Sequence, residues 1–143
     1  MRIGEILQAK STRDVVTIAP TAGVRELIAT LAQHNIGALI VSSDGNALDG
    51  IVSERDVVRH LHHDGTVINN TVDAIMTAVV ETCSPGDDLD TVMATMTDRR
   101  FRHIPVIDNG ALVGIVSIGD VVKHKIADLE FERDQLDSYV NQT

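Results

Sequence analysis

The sequence predicts an α+β fold made of two tandem β-α-β-β-α repeats. Two eleven-residue segments, GIVSERDVVRH at 50–60 and GIVSIGDVVKH at 114–124, are identical at eight positions and lie 64 residues apart. Each segment follows short apolar runs and one stretch whose apolar residues have helical spacing. Self-similarity at a fixed distance is typical of a duplicated supersecondary unit, so both copies should fold in the same way.

The repetition continues upstream with an offset of 65. It aligns Val15, Thr17, Pro20, Val24, Leu27 and Leu31 with Val80, Thr82, Pro85, Leu89, Val92 and Met96. The one-residue change of offset falls in the turn sequence at 43–46, where insertions are tolerated best. The duplication therefore covers a whole folding unit and not only one motif.

The first repeat can be divided into elements from its apolar pattern. Pro20 and Gly23 interrupt the chain before an amphipathic stretch, and the continuous apolar run at 38–41 is typical of a buried strand. The expected order is a strand at 15–18, a helix at 24–33, strands at 38–41 and 48–52, and a helix at 54–62.

The second repeat predicts the same order. We expect a strand at 80–83, a helix at 87–97, strands at 104–107 and 112–116, and a final helix from Ile118 to about residue 139. Two segments lie outside this scheme. Residues 1–8 predict a short helix with Ile3, Ile6 and Leu7 on one face, and 72–76 open the second repeat in the same way.

The last helix continues past the second repeat. Its apolar residues alternate between spacings of three and four, with Arg133 interrupting: Val122, Ile126, Leu129, Leu136 and Val140. This stripe is expected either to pack on its own domain or to form a dimer contact.

Composition limits the classes of function. The chain has 143 residues, 43% of them hydrophobic but only 2% aromatic, and a net charge of -9. A negative field of this size disfavours nucleic acid and anionic membranes as partners, but a few local cations can still hold a small phosphate ligand. No apolar run predicts a signal peptide or a membrane span, and the single cysteine, Cys83, is expected to be a buried residue of a cytoplasmic protein.

The repeated motif, Gly50-Ile51-Val52-Ser53-x-x-Asp56 and Gly114-Ile115-Val116-Ser117-x-x-Asp120, resembles that of the CBS domain, named after cystathionine beta-synthase. Arg102-His103-Ile104-Pro105-Val106 is similar to a strand that is common in this family. The resemblance covers about residues 10–127. It divides the chain into a first CBS domain at 10–66, a second at 74–127 and a C-terminal helical extension at 128–143.

The resemblance implies two repeats packed sheet to sheet with pseudo-two-fold symmetry and two clefts between them. Relatives bind AMP, ADP, ATP, NAD or S-adenosylmethionine in such clefts, and pairs of repeats usually form homodimers. The chain is therefore expected to be a regulatory module, not an enzyme. It would bind an adenine nucleotide (AMP, ADP, ATP or NAD), form a homodimer and act on an unidentified protein partner.

The Ser-x-x-Asp segments are the expected ribose sites. Ser53 with Asp56, and Ser117 with Asp120, have the spacing of a helix capping box, so a purely structural role is an alternative. An ionised carboxylate can also accept hydrogen bonds from the two adjacent hydroxyl groups of a ribose. The two roles are compatible.

Base and phosphate need different surroundings. Adenine requires an apolar slot with backbone groups at its edge, and the expected residues are Thr17, Ile18, Ile36, Ala38, Thr82, Cys83, Ile104 and Pro105. The phosphate groups require cations, for which Arg55, Arg100, Arg102 and His103 are the candidates, unless they only pair with surface carboxylates. Gly37 corresponds to Arg102 in the alignment of the repeats, so the two clefts should not be equivalent.

Other chemistry has less support in the sequence. His60, His62 and His63 suggest a metal site, but no third ligand on one helix face is evident. The serines have no visible His/Asp partners for nucleophilic catalysis. A ligand-silent dimerisation or scaffold protein and a nucleotide-processing enzyme are the alternatives to a nucleotide sensor.

Overall fold

A computed structural model describes residues 1–10, 15–78 and 80–141. Five helices and five strands are formed in the described ranges. The helices are α1 (Ile3–Ala9), α2 (Val24–His34), α3 (Glu54–His63), α4 (Leu89–Arg99) and α5 (Ile118–Asn141), and the strands are β1 (Thr17–Ile18), β2 (Ala38–Val41), β3 (Gly50–Ser53), β4 (His103–Asp108) and β5 (Ala111–Ser117). The α+β class is confirmed, and the order helix, strand, strand, helix recurs in both repeats, whereas the strand that precedes it is formed only in the first.

Each repeat contributes one small sheet. In the first, β1 pairs parallel to β2, and β2 pairs antiparallel to β3. In the second, β4 and β5 form an antiparallel pair. Ala38 lies opposite Ser53, and His103 lies opposite Ser117, so the two sheets have corresponding registers.

The prediction of a strand at 80–83 is wrong. Only Cys83 pairs with the sheet, donating its N–H to Pro105 O (3.0 Å) and accepting from Ile107 N (2.8 Å). Pro105 occupies the position of Ile40 in the first repeat and has no N–H to donate, so the ladder cannot extend back to residue 81. The helix expected at 72–76 is likewise only a 3₁₀ turn at Val72–Ala74.

The two segments outside the repeats exchange places between the cores. Ile3 and Ile6 of α1 are fully buried with Leu89 and Val116 in the core of the second repeat. Val72 and Ile75, which precede the second repeat in sequence, are buried in the core of the first. Each repeat is therefore completed by the segment that precedes the other.

Backbone hydrogen bonds show that this exchange is symmetric. Val24 N donates to Asn70 O (2.9 Å) as Leu89 N donates to Met1 O (3.0 Å). Three further contacts match in the same way: Val72 N to Ala22 O with Ile3 N to Asp87 O, Asp73 N to Pro20 O with Gly4 N to Pro85 O, and the bridge Gly23–Thr71 with Asp88–Arg2. The predicted pseudo-two-fold relation is thus visible in equivalent bonds.

The two sheets cover each other. All four residues of β2 are buried. Leu39 and Val41 belong to the core of their own repeat. Because side chains alternate along a strand, Ala38 and Ile40 lie on the opposite face, which the other repeat covers. Pro105 is buried in the same way between Ile104 and Val106 of the second core. A cleft between the repeats forms where the strands β2 and β4 begin.

Candidate functional site

A cleft of about 280 Å³ opens between the two repeats beside Asp56. The end of β3, the start of β4 and the first turns of α3 bring polar residues to it, while Ala38, Ile51 and Val80 supply apolar ones. The lining residues are Gly37, Ala38, Ile51, Ser53, Glu54, Arg55, Asp56, Arg59, Thr77, Val80, Glu81, Arg100, Phe101, Arg102 and His103. Both repeats contribute, as the resemblance implied.

Ser53 and Asp56 form a complete capping box at the start of α3. Asp56 N donates to Ser53 Oγ (3.2 Å), and Ser53 N donates to Asp56 Oδ2 (2.9 Å). The Asp56 side chain is only 12% exposed, and its Oδ1 accepts from Arg59 Nη2 at 3.1 Å. Because Arg59 is 68% exposed, Oδ1 is the oxygen whose present partner can move aside most easily.

Cations gather on one side of this cleft although the chain is acidic. Arg55, Arg59, Arg100 and Arg102 line it against three carboxylates, those of Glu54, Asp56 and Glu81. Glu81 is paired with Arg99 outside the cleft at 3.1 Å, which partly neutralises it. The cleft therefore favours an anionic group, although the net charge of the whole protein is negative.

Arg100 adopts a left-handed backbone conformation, with φ of +60°, at the end of α4. Asn35 occupies the equivalent position after α2 with φ of +52°. Asparagine tolerates this region much better than arginine, so Arg100 carries a local backbone cost. Strain of this kind at a cleft residue is a reason to look for a function of its side chain.

The corresponding acidic residue of the second repeat has a different partner. Asp120 Oδ2 accepts from Ser117 N (3.0 Å) and from Lys10 Nζ (3.0 Å), and Lys10 also donates to Ile115 O (2.9 Å). Although burial raises the pKa of Asp120, the Ser117 N–H and Lys10 outweigh this and hold it below its ordinary value. The carboxylate is therefore ionised and has an internal counter-ion. Residues 11–14, which follow Lys10, lie outside the described part of the chain.

His103 lies between the two acidic sites. Burial lowers the pKa of its imidazole, which Lys10 and Arg102 lower further, whereas Asp120 and Glu54 act in the opposite direction. The side chain is therefore neutral at pH 7 and can donate one hydrogen bond and accept another.

Seven of the predicted site residues come together in this cleft, and nine do not. Those that line it are Ser53, Asp56, Arg55, Arg100, Arg102, His103 and Ala38. Ser117 and Asp120 lie together at the second acidic site. Of the other adenine candidates, Ile18, Cys83, Ile104 and Pro105 are buried, Thr17 is half-buried in β1, and Ile36 and Thr82 are exposed.

Sequence reasoning missed several lining residues, among them Arg59 and part of the apolar wall. Arg59 lies one helical turn after Asp56, and this spacing of three could have identified it as the partner of the carboxylate. Ile51 and Val80 belong to the apolar wall and Thr77 pairs with Ile51, but these positions depend on how the segment after Val72–Ala74 crosses β3. No sequence pattern fixes that crossing.

Cys83 is a core residue with an unreactive thiol. Burial, together with the nearby Asp87 carboxylate, raises its pKa to about 12. The described residues contain no group of three histidine, cysteine or acidic side chains able to hold a metal ion. None of the described helices is both long and apolar enough to cross a bilayer.

The fold and the site define a class of protein in which two pseudo-symmetric halves enclose a polar cleft. The sequence profile of the CBS domain matches residues 3–63 and 72–127. The chain belongs to the CBS-domain family and contains a pair of these domains.

Known proteins resemble most of the chain. The solved CBS-domain containing protein ATU1752 from Agrobacterium tumefaciens superimposes with a TM-score of 0.83 at 39% identity, over 87% of this chain and 99% of that one. The CBS domain-containing protein CBSX3, mitochondrial, of Arabidopsis thaliana is 38% identical over 82% of this chain and 59% of its own length. The CBS domain pair of protein MJ0100, solved in complex with 5'-methylthioadenosine and S-adenosyl-L-methionine, has a TM-score of 0.76 at 25% identity, over 86% of this chain and 98% of that one.

This chain spans about half the length of some curated relatives, namely 59% of CBSX3 and 47% of protein MJ1225 of Methanocaldococcus jannaschii. The match to ATU1752 covers 99% of that chain. The likeness thus concerns the domain pair itself.

Proposed function

We propose that the chain is a regulatory module that binds an adenine nucleotide (AMP, ADP, ATP or NAD) in the cleft beside Asp56. The observation that carries this proposal is the union, in one cleft between the repeats, of a buried capped carboxylate and four arginines. A carboxylate suits a sugar diol, arginines suit phosphate, and a nucleoside phosphate contains both.

The cleft offers a consistent orientation for such a ligand. The ribose hydroxyls would donate to Asp56 Oδ1 after Arg59 swings away, while the capping bonds of Ser53 keep the carboxylate in place. The phosphate groups would lie toward Arg55, Arg100, Arg102 and His103. The base would pack in the apolar part, formed by Ala38, Ile51 and Val80. The adenosine-containing ligands of the MJ0100 domain pair support this class of ligand.

Ser117 and Asp120 form the proposed second ribose site. Because Lys10 already occupies Asp120 Oδ2, ligand binding there must compete with an internal ion pair. We expect the Asp56 cleft to bind nucleotide first.

Regulation would follow from the position of the ligand between the repeats. A nucleotide that contacts both halves stabilises one relative packing of the halves and can thereby change the affinity for a protein partner. A homodimer of such modules is the expected assembly, and no catalytic step is proposed.

Calorimetric titration with adenosine, AMP, ATP, NAD and S-adenosylmethionine tests the proposal. Asp56→Asn should weaken nucleotide binding by roughly 10- to 100-fold, the loss expected for a hydrogen bond to a charged group. Asp88→Asn is the matched control because Asp88 caps α4 outside the cleft, accepting from Asp90 N. Binding of none of these ligands would favour a scaffold protein, and conversion of a bound nucleotide would favour an enzyme.

A further inference from the structure

Arg59 contacts the carboxylate that the proposed ribose site requires. Its Nη2 donates to Asp56 Oδ1 at 3.1 Å. The other carboxylate oxygen, Oδ2, accepts from the backbone N–H of Ser53 at 2.9 Å and from the Ser53 hydroxyl group at 3.1 Å. A sugar diol therefore approaches Asp56 most directly at the oxygen that Arg59 occupies.

Displacement of Arg59 has a cost that depends on the ligand. The Asp56 side chain is 12% exposed, so water solvates its charge poorly and the guanidinium group partly neutralises it. A nucleoside replaces this cation with two neutral hydroxyl groups. A nucleotide also brings a phosphate group, which carries roughly two negative charges at pH 7 and accepts paired hydrogen bonds from a guanidinium group.

Arg59 is placed to follow that phosphate. It lines the same cleft as Asp56, one helical turn further along α3, and its side chain is 68% exposed, so it has room to reorient. The diol and the 5'-phosphate belong to one sugar, so the guanidinium group has to move only by the width of that sugar. We propose that Arg59 exchanges the carboxylate of Asp56 for the phosphate of the ligand and thereby makes the cleft select nucleotides over nucleosides. This role rests on the proposed function, to which it adds a residue that determines specificity.

The cation at the second acidic site is held differently. Lys10 Nζ donates both to Asp120 Oδ2 and to Ile115 O, and the Lys10 side chain is only 30% exposed. A cation that is held at two points is less able to turn toward a phosphate group. Selection by exchange is therefore a property of the Asp56 cleft.

Calorimetric titration of Arg59→Met with adenosine and with AMP tests the exchange. Methionine keeps the aliphatic stem but removes the charge, and the exposed position allows the variant to fold. Adenosine should bind about two- to fivefold more tightly, because no ion pair has to be broken first. AMP should bind at least about tenfold more weakly, because its phosphate loses a charged hydrogen-bond partner. Arg59→Lys should restore part of the preference for AMP, since it keeps the charge but not the paired donors.

Two further variants serve as comparisons. Lys123→Met is the matched control, because Lys123 occupies the position of Arg59 in the second repeat and is exposed on α5. It should change neither affinity. Arg55→Met removes a candidate phosphate contact from the same cleft and should weaken the binding of AMP without strengthening that of adenosine.

Comparison of the two ligands distinguishes the alternatives. If Arg59→Met bound both ligands more tightly, Arg59 would only compete for Asp56. If AMP bound more weakly and adenosine as before, Arg59 would be a phosphate contact without exchange. Either result overturns the proposal, as does weaker binding of both ligands, but the proposed function stands because the wild type still binds nucleotide. Binding of neither ligand to the wild type would instead refute the proposed function, and the exchange with it.

Discussion

The ammonium group of Lys10 lies 3.0 Å from the carboxylate of Asp120 and links the end of α1 to the start of α5. The same nitrogen donates to Ile115 O, whereas the equivalent Ile51 O accepts from the backbone N–H of Thr77 at 2.9 Å. A side chain thus replaces a backbone contact in only one half of a pseudo-symmetric molecule. The two acidic sites differ for this reason: Asp120 is paired with a part-buried lysine, and Asp56 with an exposed arginine, Arg59.

Replacing Lys10 with methionine should make Asp120 available to a sugar. We expect Lys10→Met to strengthen the binding of adenosine at the second site, because no ion pair has to be broken first. Calorimetry would detect this as a second binding event or a raised stoichiometry. Lys123→Met, which removes an exposed lysine of α5, is the control. Weaker binding after Lys10→Met would mean that the lysine contacts the ligand instead of excluding it.

Arg100→Asn should separate stability from binding. Asparagine fits the left-handed conformation better, so we expect unfolding to cost about 0.5–1 kcal/mol more. Loss of the guanidinium should weaken AMP binding but leave adenosine binding unchanged, since only AMP has a phosphate. Urea unfolding and calorimetry measure the two effects. Arg25→Ala, on the exposed face of α2, is the control for general loss of positive charge, and an equal loss for adenosine and AMP would contradict a phosphate contact.

The motif glycines should differ in their tolerance of alanine. A Cβ at Gly50 would lie 2.7 Å from Thr77 O and 2.9 Å from Met76 Sδ, whereas at Gly114 it would meet the end of the Leu7 side chain at 2.6 Å. Backbone yields less easily than a flexible side chain, so Gly50→Ala should be the more destabilising, both costing about 1–3 kcal/mol. Leu7→Ala should partly rescue Gly114→Ala in denaturant titrations. If the losses in free energy of unfolding for Gly114→Ala and Leu7→Ala were additive in the double variant, a clash with Leu7 would be excluded.

Stability should fall in mild acid because of His103. Its pKa in the folded protein is lowered by burial, so below about pH 6.5 the unfolded chain binds more protons than the folded one. The free energy of unfolding therefore decreases as pH falls from that value through the folded pKa. His103→Gln should flatten this part of the pH profile measured by urea unfolding, and His62→Gln, an exposed change at the end of α3, should not. If the stability of wild type and of His103→Gln depended on pH in the same way, His103 would not be the cause of the loss of stability in acid.

The internal repeat made most of the fold predictable. Apolar periodicity located every helix of the repeats within about two residues, because each has one buried face that must recur with helical spacing. The missing strand at 80–83 was also readable in principle, since Pro105 interrupts the partner ladder. The docking of α1 on the second repeat was not predictable, because Ile3 and Ile6 indicate a buried face but not which core covers that face.

The candidate site was only partly predictable. Ser53 and Asp56 have a local signature, since a capping box is set by residues three apart. The contact between Lys10 and Asp120 joins residues 110 apart in sequence, and no short pattern encodes it. The adenine candidates were chosen as strand starts, but only Ala38 lines the cleft. Alternation along the strands sends Ile18, Cys83 and Ile104 into the cores, whereas Ile36 and Thr82 are exposed outside the cleft.

Because α1 packs in the core of the second repeat, the two cores cannot be completed at the same time during synthesis. Helix α1, with Ile3 and Ile6 on its apolar face, leaves the ribosome before its docking partners, which lie between residues 83 and 121. At roughly 5–20 residues per second, it waits several seconds before these are made. The buried residues of the first core end at Ile75, so this core can close earlier. During synthesis the apolar face of α1 is therefore exposed beside a folded first repeat. Chaperone binding or aggregation of the nascent chain would occur in this interval.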